Sequence, residues 1–110
     1  KYMKFKVIVV LFSISLSIFV NASTQTGRIT QIQVRDDGLH WLYMNGARTE
    51  KASCATYGYW MIRDENSGYG KSQFSLLLSA YMAGKTVKIT GKNTCGRWGD
   101  GEDIGTVQLK

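Results

Sequence analysis

A single change in the spacing of apolar residues limits the folds open to this chain. Between two groups of short strand-like segments lies one segment whose apolar residues recur every three or four positions, as one face of a helix requires. These residues are Phe74, Leu77, Leu78, Tyr81 and Met82. Asn66 or Ser67 is suited to cap the start of this helix, and Gly84 stands where a left-handed glycine commonly ends one. The sequence therefore predicts one helix in a chain otherwise built from strands.

Strand-like segments precede and follow the helix. The predicted strands are residues 27–35, 39–44, 57–63, 85–90 and 104–109, with residues 48–53 as a short edge segment. Ile29 falls on the opposite parity from Ile32 and Val34, which predicts a bulge near Gln31. Three strands, one helix and two strands predict a mainly β fold: a five-stranded OB-fold-like barrel with the α-helix between strands 3 and 4. The alternative is a small α+β sandwich with the helix on one face.

The start of the chain has the pattern of a secretory signal. Lys1, Lys4 and Lys6 precede an apolar and small-residue run over Val7–Val20, and small residues follow up to Ala22. The run is shorter than the roughly 20 apolar residues of a membrane span. We therefore expect residues 1–22 to be a cleaved signal peptide with helical conformation. Residues 23–110 are expected to form one OB-fold-like domain. The alternative is an uncleaved N-terminal anchor.

This expectation bears on localisation and on partners. The protein is predicted to be secreted or periplasmic, with no stable membrane insertion after cleavage. The whole chain carries a net charge of +6, and the predicted leader contains three of its lysines. The remaining charges are interleaved in sign, as in the segments 35–37, 48–51 and 63–65. A nucleic-acid-binding domain usually shows a clustered basic stripe instead, so no nucleic-acid partner is expected.

Cys54 and Cys95 are the only cysteines. In an oxidising compartment the economical interpretation is one Cys54–Cys95 disulfide. Such a bridge closes a loop of about 40 residues, for which chain entropy predicts a stabilisation of about 3–4 kcal/mol. The alternatives are an intermolecular bridge or a two-cysteine metal site. His40 is the only histidine and no CxxC spacing exists, so neither a metal site nor a cofactor is predicted.

Several motifs together resemble a known group of proteins. They are the segment 53–56 (SCAT), the aromatic strand through Trp60, the segment 80–85 (AYMAGK), the strand 87–91 (VKITG) and the segment 94–102 (TCGRWGDGE). In this series, which covers roughly residues 27–109, the chain resembles small secreted bacterial proteins. In the order of its elements that group is similar to the OB-fold B subunits of AB5 toxins, of the subtilase-cytotoxin and pertussis-like kind. The resemblance implies an exported, ring-forming homo-oligomer that binds glycans.

Candidate ligand-binding residues gather around the second cysteine. An indole face such as that of Trp98 stacks on a sugar ring, and Arg97, Asp100 and Glu102 offer hydrogen bonds to hydroxyl or carboxylate groups. The alternative is structural: the cysteine fixes the loop, Trp98 covers one end of the barrel, and the carboxylates accept backbone N–H groups. Calcium binds to clustered carboxylates, but Asp100, Glu102 and Asp103 do not follow the EF-hand spacing, so no calcium site is predicted.

The middle strands are rich in aromatic residues, namely Trp41, Tyr43, Tyr57, Tyr59 and Trp60. OB-folds bind oligosaccharides and oligonucleotides by stacking on such side chains, although a small barrel also fills its interior with them. Because neighbouring residues of a strand point to opposite faces, Tyr59 and Trp60 cannot both lie inside. We therefore include Tyr59 among the candidate ligand-binding residues.

No catalytic residues are predicted. No Gly-x-Ser-x-Gly segment surrounds a serine, and His40 lies within an aromatic strand. The sequence favours a secreted, non-enzymatic binding module that is toxin B-subunit-like and binds host glycans or a protein partner. The alternative is a monomeric periplasmic interaction or inhibitor protein. Single-stranded nucleic-acid binding is a third hypothesis. The expected export and the small net charge that remains once the leader is removed both oppose it.

Overall fold

A computed structural model describes residues 22–110, and the predicted leader lies outside the described residues except for Ala22. The elements are β1 (Thr24–Val34), β2 (His40–Met44), β3 (Arg48–Thr49), β4 (Trp60–Met61), α1 (Gly68–Ala83), β5 (Thr86–Gly91) and β6 (Glu102–Leu109). The mainly β class and the one helix are as the sequence predicts.

Five of the strands close into a barrel around the long strand β1. Residues 24–28 of β1 pair with β5, and residues 29–34 pair with β2. The register between β1 and β2 shifts between Ile29 and Gln31, which confirms the bulge predicted there. From β2 the ring continues through β4, β6 and β5 back to β1. All these pairs are antiparallel except β4 with β6, which is parallel.

The position of the helix in the strand order differs from the prediction. It was expected between strands 3 and 4, but α1 lies between β4 and β5. The cause is the segment Arg48–Thr49, which forms an additional two-residue strand paired with Thr24 and Gln25 at the start of β1.

Both ends of α1 have the expected signals. The Ser67 side chain accepts a hydrogen bond from the Gly70 backbone N–H at 3.0 Å, so Ser67 is the N-cap. At the other end Gly84 has a φ of 65°, and its N–H bonds the Ala80 and Tyr81 carbonyls. A side chain disfavours this left-handed conformation, which explains a glycine at this position.

The buried face of α1 is narrower than the apolar pattern predicts. Leu77 and Ala80 are buried, whereas Leu78 and Tyr81 are each 42% exposed and Met82 is 77% exposed. The helix packs on the barrel strands along a thin seam, because the curved surface of a small barrel meets only one line of helix side chains. Three of the five residues of the predicted apolar face therefore lie at the surface. Ala80, which lies outside that face, belongs to the core.

Alternation along the strands divides the apolar residues into two layers. The barrel interior contains Leu42 and Met44 from β2, together with Trp60 and Ile62 from β4 and the residue after it. A second, smaller cluster on the outside of these strands is formed by Leu39, Tyr59 and Met61, with Trp41 and Tyr43 packed against it. Trp60 and Tyr59 do lie on opposite faces, as their parity predicts. The outer cluster is the feature that leads to a candidate site.

Cys54 and Cys95 form the predicted disulfide, across 41 positions of sequence. The bridge joins the segment before β4 to the loop between β5 and β6. A structural disulfide is typical of an oxidising, non-cytoplasmic compartment. Within residues 22–110, none of the helical structure has the length and apolarity needed to cross a membrane.

Candidate ligand-binding site

A cavity of about 230 Å³ opens on the outer face of β2 and β4. Its walls come from the turn after β1, from the two strands, and from the loop between β5 and β6. The lining residues are Arg35, Leu39, Trp41, Tyr59, Met61 and Trp98. We call this the aromatic cavity. It is lined mainly by apolar and aromatic side chains, with one guanidinium at its edge, as small-molecule sites commonly are.

The aromatic rings on this face form a continuous chain of contacts. The Tyr59 ring lies edge-on to Trp41, with centroids 5.2 Å apart, and to Tyr43 at 5.7 Å. Tyr59 also stacks nearly parallel on Tyr57, with centroids 5.7 Å apart and an angle of 13° between the rings. We call these four residues, 41, 43, 57 and 59, the aromatic platform. Each ring orients the next, since edge-to-face and offset stacked pairs are the favoured arrangements.

Trp98 reaches the cavity because a buried carboxylate holds its loop in place. Asp103, which has no exposed surface, accepts hydrogen bonds from the Gly96 N–H at 2.7 Å, the Thr94 hydroxyl at 2.7 Å and the Arg97 N–H at 3.2 Å. The disulfide at Cys95 lies in the middle of this anchored stretch. The Trp98 ring is 41% exposed at the cavity, so it is both positioned and accessible.

The cation at the cavity edge is already engaged. The Arg35 guanidinium lies 4.5 Å from the centre of the Trp98 ring and forms an ion pair with Asp37. The pKa of Asp37 falls to about 2, mainly because its carboxylate accepts a hydrogen bond from Arg35. Arg35 therefore contributes a cation–π contact and hydrogen-bond donors rather than an unpaired charge.

Two of the predicted site residues meet at the other side of the cavity. The Tyr59 hydroxyl donates a hydrogen bond to the Asp100 carboxylate, and the Tyr57 N–H bonds the Asp100 carbonyl at 3.3 Å. Burial is the largest cause of a raised pKa at Tyr59, and the Asp100 hydrogen bond is the next. The phenol consequently stays protonated and acts as the donor. This pair brings a polar group to the edge of the platform.

Arg97 lies on the far side of the same loop. Its guanidinium pairs with Glu65 at 2.9 Å and donates to the Asp37 carbonyl at 3.2 Å. The Glu65 hydrogen bond raises the pKa of Arg97, and the same contact lowers the pKa of Glu65. Arg97 lines a second, polar cavity of about 490 Å³ with Arg63 and Lys92. The structure thus places Arg97 beside the aromatic cavity but directs it to a different surface.

Glu102 is placed still farther from the candidate ligand-binding surface. Its side chain has no exposed area, pairs with Arg48 at 2.9 Å, and accepts the backbone N–H groups of Ala52 at 2.9 Å and Asn93 at 3.3 Å. Arg48 in turn lies 3.7 Å from the centre of the Trp60 ring. Glu102 is therefore a buried link between the two segments that the disulfide also joins.

The structure therefore brings together three of the five predicted site residues, Tyr59, Trp98 and Asp100. It adds residues that the sequence did not assign to the site: Arg35, Leu39, Trp41 and Met61. A signal for them existed in the outward parity shared by Trp41 with Tyr43 and by Tyr59 with Met61. The sequence could not show which of the two strand faces lies outside, because that depends on how the barrel closes.

The described residues offer neither a metal site nor a free histidine. In the part of the chain that the structure describes, no group of three His, Cys, Asp or Glu side chains is arranged to hold a metal ion. The His40 ring packs edge-on against Phe74 at 4.5 Å, and its Nδ1 lies 2.5 Å from the Gly38 carbonyl oxygen. The His40 side chain is thereby held by the turn before β2 and by α1.

Comparison with known proteins gave no match: no family model, no curated protein and no solved structure matches this chain.

Proposed function

We propose that this chain is an exported, non-enzymatic binding module with an OB-fold barrel, and that it binds a sugar ring in the aromatic cavity. The pairing order β1-β2-β4-β6-β5, closed on β1 with β4 and β6 parallel, supports the OB-fold. OB-folds take oligosaccharides or oligonucleotides on the face of their second and third barrel strands, between two flanking loops. The aromatic cavity has that location.

The observation that carries the proposal is the meeting of Trp41, Tyr59 and Trp98 around one cavity. An indole or phenol face packs on the apolar C–H face of a sugar, while hydroxyl groups of the sugar bond polar groups at the rim. Asp100 and Arg35 supply such groups. At about 230 Å³ the cavity is smaller than the roughly 300 Å³ at which pockets for drug-sized molecules begin. It suits one sugar ring better than a nucleotide cofactor.

Export and the toxin-like assembly belong to the proposal as well. The signal-like start of the sequence and the disulfide support secretion or transfer to a periplasm. Similarity to B subunits of AB5 toxins supports a ring of identical subunits that binds host glycans. The exposed side chains of Leu78, Tyr81 and Met82 on α1 are consistent with a contact to a second copy.

A monomeric interaction protein is the second candidate, and assembly distinguishes the two. Size-exclusion chromatography with light scattering should give several times the monomer mass for a ring-forming subunit. Met82→Glu, at the most exposed of the three apolar positions on α1, should reduce that mass. A wild-type protein that elutes as a monomer at all concentrations would remove the ring from the proposal and leave sugar binding to be tested.

The direct test of sugar binding uses protein purified from an exporting host. It is applied to a glycan array, and hits are titrated by tryptophan fluorescence, since two of the three tryptophans line the cavity. Trp98→Ala should weaken binding at least about tenfold, the effect of losing about 1.4 kcal/mol. Tyr69→Ala removes an aromatic ring of similar exposure from the start of α1 and should leave affinity unchanged. Absence of binding to any glycan at high concentration would refute the proposal.

A further inference from the structure

The aromatic surface continues beyond the cavity that holds one ring. Tyr57 stacks nearly parallel on Tyr59 and is 54% exposed, but it is not among the residues that line the cavity. Tyr43, which is half-buried, contacts both Tyr59 and Trp41. A ligand that ended inside the cavity would leave these rings unused. The platform therefore offers room for at least one further ring next to the cavity.

We propose that the ligand is an extended stretch of a neutral polysaccharide, with one sugar ring in the aromatic cavity and the next on the exposed face of Tyr57. This inference rests on the proposed function and specifies its substrate class. Sugar rings repeat along a polysaccharide, so a row of aromatic faces binds successive units with the same contact. A single terminal sugar would gain nothing from Tyr57.

The charges around the platform indicate a neutral ligand. The Asp100 carboxylate accepts the hydrogen bond of the Tyr59 hydroxyl at the edge of the platform, and it would repel a carboxylate, sulfate or phosphate there. The cation at the cavity, Arg35, is paired with Asp37 and stacked on Trp98. Single-stranded nucleic acid requires a basic groove along its backbone, and among the described residues the platform has no such groove.

The strand edges argue against a peptide in extended conformation. Such a peptide binds by adding a strand to a free sheet edge. Both strands under the platform are paired on two sides, β2 with β1 and β4, and β4 with β2 and β6. The hydrogen-bonding groups that remain are the Tyr hydroxyls and the Asp100 carboxylate, at the edges of flat rings. This arrangement matches a sugar, which has apolar faces and hydroxyl groups at its rim.

Length dependence of binding tests the inference. Protein from an exporting host is titrated with glucose, mannose and N-acetylglucosamine oligomers of one to about six rings, and with an array that contains acidic glycans. We expect affinity to rise about tenfold between one ring and three in the series that binds. Tyr57→Ala should remove that rise. Tyr57→Phe, which keeps the ring, should retain it.

The outcomes separate the inference from the function on which it rests. Tyr69→Ala serves as the matched control, because it removes a similarly exposed tyrosine from α1 rather than from the platform. Circular dichroism establishes that each variant is folded. Single-ring binding without length dependence, or a preference for acidic glycans, would overturn the extended neutral ligand but keep sugar binding. Failure of every sugar to bind would overturn both.

Discussion

The Tyr59 hydroxyl donates a hydrogen bond to the Asp100 carboxylate. Tyr59 precedes β4, and Asp100 lies in the loop that carries Trp98, so this one contact connects two walls of the aromatic cavity. The backbone supports it, since the Tyr57 N–H bonds the Asp100 carbonyl. The cavity is thus defined by a loop held against a strand, and its shape depends on that attachment.

Replacement of Tyr59 by Phe should detach this wall while keeping the ring. We expect a loss of about 1–2 kcal/mol in the free energy of unfolding at neutral pH, because the hydrogen bond has a charged acceptor. Burial and Asp100 raise the pKa of Tyr59 above the usual value of about 10. The folded state therefore holds this proton more tightly. Its stabilising effect is fully present below about pH 10 and is lost progressively as the pH rises from there through the higher pKa of the folded state.

Two measurements check this expectation. Urea unfolding at neutral pH and above pH 10 should show a smaller alkaline loss in Tyr59→Phe than in wild type. Ultraviolet titration of phenolate formation should show one fewer late-ionising tyrosine in the variant. Tyr81→Phe provides the control at an exposed tyrosine on α1. An identical alkaline profile for Tyr59→Phe and wild type would contradict the assigned role of the hydroxyl.

Glu102→Gln should be among the most destabilising single changes in the described domain. The substitution leaves the Arg48 guanidinium, whose side chain is only 8% exposed, without a counter-ion. Removal of one partner of a buried pair typically costs about 3–5 kcal/mol. The added change Arg48→Met should recover part of the loss, which a double-mutant cycle by urea unfolding measures. Additive effects of the two changes would show that the pair is not coupled.

The case of Glu102 shows where inference from the sequence ends. Its position among Gly, Asp and Trp residues suggested a ligand-binding loop, and Asp100 two residues earlier does bond Tyr59, which lines the cavity. The difference arises because Glu102 begins β6 and turns inward to meet Arg48, 54 positions away in sequence. No local pattern records a partner at that distance.

Local signals were more successful where the physics is local. The caps at Ser67 and Gly84 and the bulge after Ile29 depend on residue type and short-range geometry. The disulfide spans 41 positions, but it could be predicted because the chain has only two cysteines. The width of the buried face of α1 was overestimated, because apolar spacing in the sequence does not show how narrow the contact between helix and barrel is. Trp41 was recognised as part of an aromatic excess, but its place in a cavity depends on a loop from the other end of the chain.

Loss of the disulfide should lower stability without dismantling the site. In Cys54→Ser with Cys95→Ser, the unfolded chain regains loop freedom, and we expect a loss of about 3–4 kcal/mol measured by urea unfolding. Asp103 still anchors the loop through three hydrogen bonds. In the absence of denaturant the folded double variant should therefore keep its sugar affinity within about threefold, well under the tenfold that 1.4 kcal/mol represents. Complete loss of binding in a folded double variant would show that Asp103 alone cannot hold Trp98.

Two glycines of the Trp98 loop allow a matched test of the cavity. A Cβ placed on Gly101 would overlap the Tyr59 ring and lie 3.0 Å from the Met61 side chain, whereas one placed on Gly99 would meet no atom within 4 Å. Gly101→Ala should therefore displace Tyr59 from the cavity wall and weaken sugar binding at least about tenfold. Gly99→Ala should leave affinity unchanged, as fluorescence titration would measure. Equal affinities for the two variants would mean that Tyr59 does not form part of the binding surface.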